Sequence, residues 1–339
     1  MRAERKDDSM TDVTTNALAI LGSQDFFGSL RGTLARMGLA GEERYGVGLY
    51  LVALSRFLPS PLRLCIQQNA EGNARFLVET VAELLPKNHR VGIYRDLNEA
   101  WPSFEKSPNN KVLWVPPDSE GPPSCGSFQI DISGNRITGV WSNKKNGRVV
   151  ERRCTAQGRF VCVSGTAPPF EWNLTRWLTI RLPVPQRSRN QGSTPTEQDL
   201  AVWHEVQRLI EERCQVEVVL PQWLEIVIEQ MFHDHRAERH LPAFLTMWKV
   251  MTVVRSFADD KRPGSFMRAD FLSFAAAGAA LKGIFREGYW FPAPANIYEQ
   301  IAQLGTKSSL LNPITGKALR FNCVGITNPA KFTSPPLVR

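Results

Sequence analysis

The 339-residue chain is 42% hydrophobic and 22% charged, an ordinary globular balance that excludes a disordered polypeptide. Forty-one Lys and Arg against 33 Asp and Glu leave a net charge of +8, which admits a polyanionic partner if the excess is concentrated somewhere. Six cysteines without a CxxC pair, no apolar run near the ~18 residues of a membrane span, and no charged-then-apolar N-terminal segment exclude disulfide-stapled, membrane-spanning and secreted classes, so a cytoplasmic protein with reduced thiols is expected.

Residues 1–17 are polar and mixed in charge and are predicted to be a mobile tail. Leu18, Ile20, Leu21, Phe26, Phe27, Leu30, Leu34, Met37 and Leu39 then recur at helical spacing, and a second helix is predicted from Gly46 to Phe57, closed by Pro59 and Pro61. From Leu62 the pattern alternates: strand 62–66, helix 76–85, strand 91–94 and strand 111–115. That order predicts a parallel sheet with crossover helices.

Extended segments at 128–132, 139–141, 148–150 and 160–163 follow, broken by Ser133-Gly-Asn135 and Asn146-Gly147. Asn-Gly between extended segments predicts a hairpin. Strand 177–182 precedes Pro183 and Pro185, and polar residues 186–198 contain the predicted linker. Beyond it the chain turns α-rich. Pro221 opens a helix with Trp223, Leu224, Val227, Ile228, Met231 and Phe232 on one face; Pro242 opens another; Asp270 is a candidate N-cap for a third through 275–280. A helix at 295–304 and strands around Thr315-Gly316 suggest a winged helix. The expected organisation is a tail (1–17), an α/β domain (18–190), a linker (191–198), a helical region (199–285) and a winged-helix-like region (286–339).

Strand 62–66, the segment Gln67-Gln-Asn-Ala-Glu-Gly-Asn-Ala74 and the following helix have the layout of a phosphate-binding loop. Such a loop needs backbone N–H groups, a Lys for the β/γ-phosphates and a Ser/Thr hydroxyl for Mg²⁺. Gly72 matches the second glycine, whereas Gln67, Asn73 and Ala74 stand at the first Gly, Lys and Ser/Thr positions. Taken alone, the segment is an ordinary strand–turn–helix.

From about Leu18 to Val184 the chain carries Gly41-Glu-Glu-Arg44, Leu54-Ser-Arg-Phe-Leu-Pro-Ser-Pro-Leu62 and Ala82-Glu-Leu-Leu-Pro86, then stretches 111–120, 127–153, 160–166 and Leu174-Thr-Arg176. In that order they resemble the AAA+-like ATPase domain of phage, plasmid and mobile-element primase–helicase proteins. The resemblance covers about half the chain and is one of order and spacing. It implies a P-loop NTPase-like core carrying a basic hairpin. It also implies that Gly72, Asn73 and Ala74 mark a degenerate nucleotide loop and that Arg176 stands at the arginine-finger position. Val112-Leu-Trp-Val115 runs into Pro116-Pro117, so Asp118 and Glu120 are displaced from where a Walker B strand carries its acids. With Lys, Ser/Thr and acid all missing, hydrolysis is not expected, and neither is a cofactor.

The charge excess is concentrated. Residues 136–159 hold seven basic side chains (Arg136, Lys144, Lys145, Arg148, Arg152, Arg153, Arg159) against one acid, Glu151. A hairpin turning at Asn146-Gly147 carries Lys144, Lys145 and Arg148 at its tip, and Trp141 is a candidate for base stacking. The plain alternative is a basic edge that discourages strand pairing. His233, His235 and His240 with Asp234 are poorly spaced for one metal on a helix, and Asn173-Leu-Thr175 is a sequon without a secretory context.

The resulting expectation is a catalytically degenerate, AAA+-like DNA-binding protein of a mobile-element replication, transposition or defence assembly. Its DNA contacts would be Arg136, Trp141, Lys144, Lys145, Arg148, Arg152 and Arg153. Arg176 could serve in trans in a hetero-oligomer with an active NTPase. Two alternatives stay open: an active DNA-dependent NTPase or helicase using ATP and Mg²⁺ at an unorthodox loop, and a protein-only adaptor.

Overall fold

A computed structural model describes residues 4–23, 25–67, 74–92, 106–115, 129–133, 136–145, 148–165, 177–182, 195–221, 241–258 and 266–284. The described residues form a mixed α/β structure around a parallel sheet. The sheet contains β1 (Arg63–Gln67), β2 (Arg90–Gly92), β3 (Lys111–Val115), β7 (Phe160–Ser164) and β8 (Trp177–Arg181), in the spatial order β2-β3-β7-β1-β8. Every neighbouring pair is parallel. Both faces are buried: Leu64, Ile66, Val112, Trp114, Val161 and Val163 on one, Cys65, Leu113, Val115 and Cys162 on the other. Burial on two sides explains why these strands read as continuous apolar runs without alternation.

Helix α3 (Glu43–Leu54) lies at the centre of the helical layer, buried at every position from Tyr45 to Leu54. An apolar all-round sequence can be helical in water only when enclosed, and α3 is enclosed by α2 (Phe26–Leu34), α4 (Ala74–Glu83), α6 (Leu241–Arg255) and α7 (Phe271–Ile284). Gly41 holds a left-handed φ of +83° in the turn before it, where its N–H donates to Glu43 Oε1 at 2.9 Å.

The residues expected to be a tail are largely helical. Helix α1 spans Glu4–Gly22 and packs along α5 (Glu197–Arg213); Ala17 is fully buried and Thr14 Oγ1 donates to Glu205 Oε1 at 2.8 Å. Sparse apolar residues before Leu18 hid this, because small Ala17 and a Thr hydroxyl serve a helix–helix seam without an apolar stripe.

The predicted linker ends at a capping box. Thr196 accepts from the Asp199 N–H at 3.1 Å, the Asp199 carboxylate accepts from the Thr196 N–H, and α5 begins at Glu197. Trp203 on α5 reaches back to Thr33 Oγ1 at 3.3 Å and sits edge-on to Tyr50 and Phe26. The described helices on both sides of the linker therefore share one continuous core. The Asp270 N-cap forms as expected, accepting from the Ser273 N–H at 2.7 Å at the start of α7. A two-stranded parallel pair, β9 (Glu217–Val219) with β10 (Phe266–Arg268), has no counterpart in the sequence reading. The Pro221 helix face (223–232) and the winged-helix-like region (286–339) lie outside the described residues.

A separate antiparallel ribbon joins β3 to β7. It consists of β4 (Gln129–Ser133), β5 (Arg136–Lys145) and β6 (Arg148–Gln157), in the order β4-β5-β6.

Candidate functional site

Two places on this scaffold can carry function: the carboxyl edge of the sheet beside β1, and the basic ribbon. The chain leaves β1 toward β2 and leaves β7 toward β8, in opposite directions across the sheet. Right-handed crossovers put such connections on opposite faces. The crevice between their starts, at the carboxyl ends of β1 and β7, is where open α/β sheets bind ligands.

The described residues at that edge are held firmly. Gln67, last in β1, accepts from Arg181 Nε at 2.9 Å through its side chain and from the Leu182 N–H at 2.9 Å through its backbone. Gly165, just past β7, donates to the Val115 carbonyl at 2.8 Å. Ala74, at the position a Ser or Thr would need for Mg²⁺, begins α4 and is fully buried. Arg75 is half-exposed and paired with Glu79 at 2.9 Å, the i,i+4 arrangement of a solvated helix face. Gly72, Asn73, Asp118, Glu120 and Arg176 lie outside the described residues.

On the ribbon, the β5–β6 ladder runs from Arg136–Gln157 out to Lys145–Arg148; the turn expected at Asn146-Gly147 lies outside the described residues. Directly paired residues share a face of a sheet. Trp141 is paired with Arg152 and Lys145 with Arg148, all on one face, together with Ile130, Ile132 and Ile137. Arg136, Lys144 and Arg153 fall on the other face with Glu151. The seven predicted contacts thus divide four and three between two faces, a split decided by the period-two alternation of strands. Arg136 is exposed, and Ala156, at the ribbon's base on the Trp141 face, is buried.

No protein-family model and no curated protein matches the chain.

One polar cluster escaped the sequence reading. Arg56 is fully buried, yet its guanidinium donates to the Ala53 carbonyl (2.8 Å), the Asn110 carbonyl (3.0 Å), Gln207 Oε1 (2.7 Å) and His89 Nδ1 (3.3 Å), and lies 4.0 Å over the Phe57 ring. Burial pushes its pKa down to about 10, and it stays charged at neutral pH. Its neighbour Ser55 donates to the Val52 carbonyl at 2.6 Å and accepts from the Leu62 N–H at 2.8 Å, closing the turn that feeds β1. The Ser-Arg-Phe motif therefore acts as a structural joint. Burial and the Arg56 charge hold His89 down to about 4; it accepts from Arg56 as a neutral ring. Ordinary spacing rules could not find this cluster, because its members come from four separate segments.

Among the described residues, no group of three or more His, Cys, Asp or Glu could hold a metal ion. The His233, His235 and His240 set lies outside them. Burial raises Cys65 and Cys162 to about 12, so neither is a thiolate nucleophile at neutral pH. No described helix is long and apolar enough to cross a membrane.

Proposed function

We propose that this chain is a DNA-binding protein built on a P-loop NTPase-like core whose nucleotide machinery is degenerate, acting in a mobile-element replication, transposition or defence assembly. The observation that carries the reading is the basic ribbon. A segment with six of the chain's eight net positive charges interrupts the path from β3 to β7 and forms a paired β-structure apart from the central sheet. A charged lever of that kind tracks phosphates without burying its own charge. The strand order, with β1 between β8 and β7 and a helix directly after β1, supports the P-loop-like core. Asn73 and Ala74 in place of Lys and Ser/Thr support degeneracy. Arg176, retained at the finger position, supports a hetero-oligomer in which an active NTPase supplies hydrolysis.

The test is DNA affinity as a function of salt. Log K should fall linearly with log[salt], and Lys144→Ala, Lys145→Ala and Arg148→Ala together should flatten the slope by about two to three units, uniformly across sequences. A wild-type protein without salt-dependent binding would mean that the ribbon meets a protein partner instead.

A further inference from the structure

Among the described residues, the ribbon's base is fastened to the sheet at the turn between β6 and β7, and the fastening is built from groups that no sequence motif marks. Only Gly158 and Arg159 separate β6 from β7. The Arg159 N–H donates to Asn109 Oδ1 at 2.8 Å, and the Arg159 carbonyl accepts from the Asn110 N–H at 2.7 Å. Gly158 presses so closely on this segment that a Cβ there would lie 2.6 Å from Asn109 Oδ1 and 2.8 Å from the ring of Pro108. Asn110 passes the anchor inward. It holds a left-handed φ of 60°, its amide donates to Glu211 Oε1 on α5 at 2.7 Å, and its carbonyl accepts from the buried Arg56. Arg56 in turn donates to Gln207 on the same helix.

We propose that Asn109 and Gly158 are positioning residues for nucleic-acid binding: they clamp the ribbon's base to β3 and, through Asn110, to the Arg56–α5 framework, so that the basic tip is held in one direction. The proposal rests on the DNA-binding reading of the ribbon. Ten-residue strands extend about 33 Å, so a tilt of about 10° at the base displaces the tip by about 6 Å, more than a phosphate contact tolerates. Fixing the lever beforehand removes an ordering cost that binding would otherwise have to meet. Asn109 and Gly158 lie at the opposite end of the ribbon from Lys144, Lys145 and Arg148; of the expected contacts only Arg136, paired with Gln157, stands at this end.

The experiment measures binding of a labelled mixed-sequence oligodeoxynucleotide to the full chain, with thermal melts of every variant. Asn109→Ala removes the acceptor for the Arg159 N–H, and Gly158→Ala forces the turn off Pro108 and Asn109. Each should weaken binding about three- to tenfold, the scale of one lost hydrogen bond. Asn109→Asp keeps the acceptor oxygen and adds a charge more than a Debye length from the tip, so it should bind within about twofold of wild type. Asn109 is exposed, so its truncation spares the core. Wild-type affinity in both alanine variants, or failure of Asn109→Asp to restore it, overturns the clamp. A wild-type chain that binds no oligonucleotide overturns the DNA-binding reading and the clamp with it, an outcome distinct from equal binding by all variants.

Discussion

Arg56 and Gln207 are 151 residues apart in the chain and meet at 2.7 Å with both side chains fully buried. The contact joins the turn before β1 to the helix after the linker. It lets a guanidinium sit in the core on backbone carbonyls, an amide and the His89 ring, with the Glu211 charge near enough to favour its charged form. A buried charge of this kind is held by its acceptors, and removing it strands them.

Arg56→Met should therefore destabilise the chain by about 3–5 kcal/mol, because the Asn110 carbonyl and Gln207 Oε1 lose their donor inside the core. Gln207→Leu, which removes one acceptor, should cost less. Urea denaturation midpoints at constant m-value measure both. Equal midpoints for wild type and Arg56→Met would mean that the cluster opens to water.

His89 gives the protein a pH-dependent stability. Its pKa falls from 6.5 to about 4 on folding, so between those values the unfolded chain binds more protons than the folded one. Stability is then complete above pH 6.5 and is lost progressively as the pH falls toward 4. His89→Gln should flatten that part of the profile, as read from urea melts between pH 4 and pH 7. The ring is only partly buried, which keeps the effect well below that of a fully buried group.

ATP hydrolysis by the purified chain should be undetectable, and melting temperature should not respond to Mg²⁺-ATP. Turnover above ~0.1 s⁻¹, far below the enzyme median of ~10 s⁻¹, that disappears in Asn73→Asp would show that the loop works without its Lys. Restoring Asn73→Lys and Ala74→Ser together should create nucleotide binding if degeneracy of the loop alone removed it.

The two faces of the ribbon should differ. Lys145→Ala, Arg148→Ala and Arg152→Ala remove the charges that share a face with Trp141; Arg136→Ala, Lys144→Ala and Arg153→Ala remove those opposite. The first set should flatten the salt slope by about 2.7, and the second by less. Trp141→Ala should weaken single-strand binding by about 1–3 kcal/mol per stacked base and leave duplex binding nearly unchanged. Equal losses from both sets would place nucleic acid along the ribbon's edge.

Much of the sheet was legible in the chain order. Lys111–Val115 matches the strand expected at 111–115, and Phe160–Ser164, Trp177–Arg181 and the Asp270 cap fall within a residue or two of their sequence signals. These features depend on local patterning, since a strand buried on both faces must be apolar throughout and a helix start needs an acceptor for its free N–H groups. The concentration of positive charge in 136–159, and Asn73 and Ala74 where a phosphate-binding loop would need Lys and Ser/Thr, are likewise properties of the sequence alone.

Tertiary structure decided what depends on distant partners. Residues 4–17 became helical because α5 offers them a surface, and the helices after the linker joined the first core because Trp203 fits between Phe26 and Tyr50. The division of the basic residues between two faces required the ladder register, since a shift of one residue would exchange the faces. The Arg56 joint and the Asn109–Gly158 anchor required the fold as well. Each gathers hydrogen-bonding groups from segments far apart in the chain, and a donor's sequence neighbours carry no record of which acceptors the folded chain will bring to it.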